Sequence, residues 1–246
     1  MNDFALSTVV VLIVFVWCSS NVNGDGVCVS VGRQYNSTVS DAFGAKALTT
    51  SIKLGCNPYI DDSCALSPTF EDYGNTTVCG VIYADASRIK YSFLSYKDAA
   101  SAHDAGAYVT HLGACGACST LNDLAVYMNT SDLTEAARAC GIKGLLDPQK
   151  DLDCLLGLGF TYPCAQIWQY NTQNTRAYCQ NVCFRDYFQY YNNQTTCKLN
   201  DCLQCDEDKS GPIFKQFSGR TRRNSGLFSA IYRPPATVAN LTHDYY

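Results

Sequence analysis

Hydrophobic and polar positions change rhythm along the chain. Phe4 to Trp17 is almost unbroken apolar sequence and gives way to Cys18, Ser19, Ser20 and Asn21. That run is shorter than the roughly 20 residues a membrane span needs, so it predicts a secretory signal peptide over residues 1–20, although Asp3 stands where a basic leader is expected. Further on, Val78 to Ala84 and Ile89 to Tyr96 read as short strands separated by the polar Asp85 to Arg88. An alanine-rich helix is predicted from Lys97 to Ala105, and an extended stretch from Ala107 to Leu112. Gly55 to Ser67, with Cys56, Pro58, Asp61, Asp62 and Cys64, has the composition of an irregular crosslinked loop.

Past residue 118 the period becomes helical. Ser119 or Thr120 can cap Leu121 to Met128, Ser131 can cap Asp132 to Cys140, and Asp147 precedes a helix from Pro148 to Leu156. The longest candidate runs from Pro163 to Tyr190, with a kink or loop predicted at the polar patch Asn171 to Thr175. The fold class expected is a small disulfide-rich alpha+beta or mixed alpha/beta secreted domain, predominantly helical in its second half. After the signal peptide, the chain divides into a disulfide-rich N-terminal segment (21–75), a mixed strand/helix core (76–130), a helical cysteine-rich region (131–209) and a basic, tyrosine-containing C-terminal tail (210–246).

Composition narrows the class. A formal charge of −4 over 246 residues lacks the footprint of a nucleic-acid binder, and 47% hydrophobic residues supply a core. Of the 15 cysteines, Cys18 would leave with the leader, and the even remainder suits complete pairing in an oxidising compartment. Asn36, Asn75, Asn129, Asn193 and Asn240 each begin an acceptor sequence for N-glycosylation. These features together predict secretion or an extracellular surface, with no stable membrane span after signal cleavage.

Candidate chemistry centres on His111-Leu112-Gly113-Ala114-Cys115-Gly116-Ala117-Cys118-Ser119-Thr120. If this is strand, turn and helix entrance, the helix-terminal amides would lower a thiol pKa, with Cys115 attacking, Cys118 resolving and His111 nearby. The arrangement resembles a thioredoxin active turn locally, without a complete family pattern. The opposing reading makes both cysteines part of a structural disulfide framework. His103 and Asp104, with His111 and the two cysteines, are a further set of zinc-type ligands, but without the spacing of common zinc modules. Asp61/Asp62, Asp151/Asp153 and Asp206/Asp208 are carboxylate pairs whose spacing selects no reaction.

A second site is Asp206-Glu207-Asp208-Lys209-Ser210-Gly211-Pro212-Ile213. Asp206, Asp208 and Ser210 match alternate ligand positions of a calcium loop, Gly211 its turn and the Pro212 carbonyl a further ligand, whereas Phe217 replaces the final glutamate. No organic cofactor signature is present and no cofactor is expected, with calcium at this loop as the alternative. Arg220-Thr221-Arg222-Arg223 resembles a furin-type processing site, and its loop-forming flanks predict an exposed basic turn. The 17 tyrosines suit protein or carbohydrate contact. The leading expectation is a secreted or cell-surface disulfide-stabilised glycoprotein with a structural role or an interaction role toward an extracellular protein, a glycan or a second copy of itself. The alternatives are a thiol-disulfide oxidoreductase and a calcium-stabilised module.

Overall fold

The computed structural model describes residues 28–246. The expected leader, with Cys18, lies outside the described residues. Helix α1 (Ser37–Gly44) precedes the strands β1 (Ala47–Leu48), β2 (Lys53–Leu54), β3 (Leu66–Ser67), β4 (Val78–Tyr83) and β5 (Lys90–Tyr96), followed by α2 (Ala99–Asp104) and β6 (Tyr108–Leu112). Six helices follow: α3 (Leu121–Asn129), α4 (Leu133–Lys143), α5 (Pro148–Gly157), α6 (Tyr162–Arg185), α7 (Asp201–Lys209) and α8 (Gly211–Ser218). The protein is a disulfide-rich mixed α/β domain with strands early and helices dominating its C-terminal half.

The main sheet has the order β1-β5-β4-β6, with β1 parallel to β5 and the other pairs antiparallel. Val81, Tyr91 and Phe93 turn inward from its central strands, where burial of each large side chain contributes about 1.5–3 kcal/mol. Tyr91 also anchors the helical half, because its hydroxyl accepts the Leu121 N–H at 2.8 Å where α3 begins. The β2–β3 pair brackets the loop closed by Cys56–Cys64.

Local capping explains several helix starts. Thr120 accepts the Asp123 N–H to begin α3, and Asp147 accepts the Gln149 N–H ahead of Pro148 to begin α5. Helix α4 starts one residue later than expected, because Asp132, not Ser131, accepts the Glu135 N–H. The predicted kink in α6 is absent. Its polar patch is used by neighbouring helices and the N-terminal loop: the Tyr59 hydroxyl donates to Asn171 at 3.0 Å, Thr172 to Asp151 at 2.6 Å, and Thr175 to Asp206. Propensity against helix at these residues is overridden by hydrogen bonds that only a continuous helix lines up.

All fourteen described cysteines form seven disulfides: 28–197, 56–64, 79–115, 118–164, 140–154, 179–205 and 183–202. Cys79–Cys115 ties the turn after β6 back to β4, while Cys118–Cys164 ties the same turn to α6 and Cys28–Cys197 ties the N-terminal segment to the C-terminal half. No helix among the described residues is long and apolar enough to cross a membrane.

Candidate functional site

The turn that carries the chemically distinctive sequence is where the C-terminal segment docks. Ala117 N–H donates to the Phe217 carbonyl and Cys118 N–H to the Ser218 carbonyl, both at 2.8 Å. Two glycines permit this approach. A Cβ on Gly116 would sit 2.5 Å from the Gly219 nitrogen, and Gly219 itself has φ +69°. The chain then enters the interior, and Arg220 becomes the largest fully buried side chain.

All five N–H donors of Arg220 are used. Nε donates to the Cys118 carbonyl at 3.0 Å. Nη1 donates to the Thr110 carbonyl at 3.0 Å and Ser225 Oγ at 3.1 Å, and Nη2 to Thr110 Oγ1 at 2.7 Å and the Ser119 carbonyl at 3.2 Å. None of these acceptors is a carboxylate. The expectation of an exposed basic turn at 220–223 is therefore corrected: the residue that would open a processing site is enclosed, because its donors find carbonyls on the turn before α3 and on β6 that need partners as much as it does.

His111 and Ser119 flank this guanidinium. His111 Nε2 lies 2.7 Å from Ser119 Oγ and Nδ1 lies 2.9 Å from the Leu112 carbonyl, so Nδ1 carries the proton of the neutral ring and Ser119 donates to Nε2. Burial, with the Arg220 charge beside it, holds the imidazole well below its ordinary pKa. Ser119 Oγ also accepts the Gly116 N–H at 2.7 Å. A serine beside a neutral histidine has the elements of a nucleophile and base, but both side chains are fully buried, and the pair serves as a closed hydrogen-bonded link. The pairing escapes sequence reading because the two residues stand eight positions apart, on a strand and at a helix entrance, and only the turn between them brings them together.

His243, which sequence leaves isolated, lies in the same region. Its Nε2 is 2.9 Å from the Ser225 carbonyl and its Nδ1 3.0 Å from the Tyr245 hydroxyl, which lies 2.9 Å from Thr110 Oγ1. Burial and Arg220 push its pKa down to about 4. Asp123, also fully buried, accepts from Thr120 and from the amide and hydroxyl of Thr161. Burial raises its carboxyl to about 6 against those hydrogen bonds and the Arg220 charge.

The structure separates the other sequence candidates. Cys115 and Cys118 are bonded to Cys79 and Cys164, not to each other, so the expected exchange pair with His111 is corrected: neither sulfur is a free thiol, and both are buried. His103 is exposed beside Asp104 at 3.9 Å, away from buried His111. Asp206 and Asp208 lie on helix α7, Ser210 at its junction with α8, and Pro212 in the first turn of α8. A helix points alternate residues apart, so these positions do not wrap an ion as a calcium loop would. Their oxygens are engaged instead: Asp206 by Asn171 and Thr175, Asp208 by Gln204, and Ser210 by Asn174 and Thr175. Among the described residues no group of three or more His, Cys, Asp or Glu is placed to hold a metal. Asn36, Asn75, Asn129, Asn193 and Asn240 are all exposed.

The concavity suited to a ligand lies elsewhere. A cavity of about 340 Å³ opens between α4, α6, α7, α8 and the C-terminal segment, with walls mainly of apolar groups including Leu133, Ala137, Trp168, Leu203, Phe214 and Ile231. The size falls at the lower end of ligand pockets, which span roughly 300–1,000 Å³. Trp168 and Phe214 meet edge to face at 4.7 Å on its wall. Its charged side is Glu207, which binds Lys215 at 2.8 Å, Arg223 at 3.2 Å and Arg233 at 2.5 Å. Burial pushes the Glu207 carboxyl up, but Arg233, Lys215 and Arg223 outweigh it and hold the group below its ordinary value.

Arg222 also lines this cleft. Nη1 and Nη2 donate to the Phe228 and Tyr127 carbonyls at 2.5 and 2.6 Å, while the buried Nε has no hydrogen-bond partner. Trp168 Nε1, on the same wall, is likewise buried without a partner. Arg222 forms no salt bridge among the described residues. Burial lowers its pKa to about 10, and it remains charged at neutral pH.

Residues 148–241, less than half of the chain, match a family model described as Family of unknown function (DUF8771). No curated protein and no solved structure matches the chain. The matched segment runs from α5 through the C-terminal segment and holds Trp168, Glu207, Phe214, Arg220, Arg222 and Arg233, so it spans most of the cleft as well as the buried arginine.

Proposed function

We propose that the chain is a glycoprotein of the secretory pathway that acts by binding, with the cleft between α4, α6 and α8 as its binding site. The observation that carries this reading is an apolar-walled cavity of about 340 Å³ with unpartnered donors, built on helices braced by disulfides. The braced frame supports it, because a site whose walls are already held in place loses little freedom when it is filled. Secretion is supported by the signal-like leader in the sequence, by fourteen bonded cysteines and by exposure of all five glycosylation acceptors. Phe184 and Tyr187 line the cleft, and Phe188 beside them is 95% exposed, an aromatic surface suited to an extracellular protein or glycan.

The test is expression of the full chain in secreting cells, alongside Ala137→Phe, which fills the cleft from α4. The reading expects product in the medium, a mass decrease on glycosidase treatment, and binding to an extracellular protein and glycan panel that Ala137→Phe abolishes. Retention as an unglycosylated cytosolic product would overturn the compartment. Panel binding unchanged by Ala137→Phe would overturn the cleft as the site.

A further inference from the structure

The buried donors of the cleft select a class of ligand. The walls around Trp168, Phe214, Leu133 and Ala137 offer an apolar body a dry surface. Arg222 and Trp168 both stand beside Tyr127, the guanidinium 5.9 Å from the centre of its ring and the indole ring 6.5 Å away. The Arg222 Nε–H is buried without a partner, and the buried Trp168 indole N–H lies near the Tyr127 hydroxyl without a fully formed hydrogen bond. A buried donor left unmade costs roughly 1–3 kcal/mol.

The charge balance has a sign. The cleft is lined by six cations against the three carboxylates Asp132, Asp206 and Glu207, so it is left net positive. Asp132 acts on Arg222 and Asp206 on Arg233 across a distance, and Arg222 itself bonds only two carbonyls. Those carbonyls hold the guanidinium plane, engage one hydrogen of each Nη and leave the enclosed Nε without a partner. A planar two-oxygen head matches a guanidinium N–H and a neighbouring indole N–H better than a single hydroxyl does.

We propose that the group the cleft takes from its extracellular partner is small, amphiphilic and carboxylate-bearing, with its apolar body against Trp168, Phe214 and Ala137 and its head toward Arg222. This rests on the reading of the cleft as the binding site. The net positive lining favours the anion's approach, and the carboxylate supplies the direct ion pair that Arg222 does not make with Asp132.

Decanoate, decanol and decyltrimethylammonium are the probes, titrated into the full chain while the fluorescence of Trp168 is followed. The chain's other tryptophan, Trp17, lies in the leader, and Trp168→Phe identifies the signal. Decanoate is expected to saturate the response at least tenfold more tightly than decanol, with decyltrimethylammonium weakest. Arg222→Gln is expected to remove that tenfold preference while leaving decanol binding in place, and Ala137→Phe to abolish binding of all three. The comparison on the unmodified protein stands even if Arg222→Gln does not fold. Equal binding of decanoate and decanol, both lost in Ala137→Phe, overturns the carboxylate assignment and keeps the cleft. A flat response to every probe overturns the carboxylate assignment, and the cleft reading is then decided separately by the panel comparison with Ala137→Phe.

Discussion

Arg220 and Arg222 stand two residues apart and are put to opposite uses. Arg220 is enclosed with each donor matched to a neutral acceptor, and nothing outside the protein reaches it. Arg222, on the wall of the cleft, uses two of its nitrogens to hold its position and leaves the third enclosed without a partner. Removal of a satisfied guanidinium is felt as lost structure, whereas removal of a partly satisfied one beside a cavity is felt as lost recognition. An arginine's donor count against its acceptors therefore separates a structural residue from a binding one where net charge and motif do not.

That contrast is broken most directly by Arg220→Met. Five acceptors lose their partner in the interior, and the expected loss is about 3–5 kcal/mol in denaturant unfolding, against less than ~2 kcal/mol for Arg222→Met. Equal losses at the two positions would erase the distinction.

Acid should attack the Arg220 region before the cleft. His243 has its pKa lowered from the ordinary 6.5 to about 4, so the stability it supports is complete above pH 6.5 and is lost as pH falls through about 4. His111 acts in the same direction. Asp123, raised from 3.8 to about 6, opposes them: its contribution is present below pH 3.8 and is lost as pH rises through about 6. Because a tenfold change in proton affinity is equivalent to about 1.4 kcal/mol, His243 alone accounts for roughly 3 kcal/mol. The unfolding midpoint is expected to fall between pH 7 and 4, and His243→Gln to flatten that fall. Asp123 offsets a comparable amount over this range, so the deciding comparison is between the two proteins: identical pH profiles for the unmodified chain and His243→Gln would show that His243 is not held neutral.

Gly116→Ala places a Cβ 2.5 Å from the Gly219 nitrogen and is expected to cost about 1–3 kcal/mol in thermal or denaturant unfolding, with ligand response at the cleft retained. The smallest effect is expected from Thr120→Ala. It removes the α3 cap and one hydrogen bond to Asp123, for about 1 kcal/mol, and lowers the midpoint without altering probe binding at the cleft.

The sequence announces what is decided within a few residues. Thr120 and Asp147 mark the starts of α3 and α5 because a cap acts two or three residues away, and the short runs Val78 to Ala84 and Ile89 to Tyr96, split by a polar stretch, mark β4 and β5. Its misreadings share one cause. Asn171 to Thr175, Asp206 to Pro212 and Arg220 to Arg223 are polar runs that by themselves imply exposure, a loop or an ion. Their partners lie far along the chain, such as Thr110 for Arg220 and Asp206 for Thr175, and no local rule contains that information. The cleft is unreadable for the same reason, since Ala137, Trp168, Phe214 and Arg222 become neighbours only when the helices pack.

The ten residues from His111 to Thr120 meet the sheet through Cys79, the long helix through Cys164 and the C-terminal segment through backbone bonds at Ala117 and Cys118. A segment held from three sides has no partial opening that frees it, because release from one neighbour leaves the other two in place. Its amides should thus belong to the slowest class in hydrogen exchange, with protection at Ala117 and Cys118 reporting the free energy of whole-molecule unfolding, while the surface hairpin around Asp85 exchanges through local fluctuations.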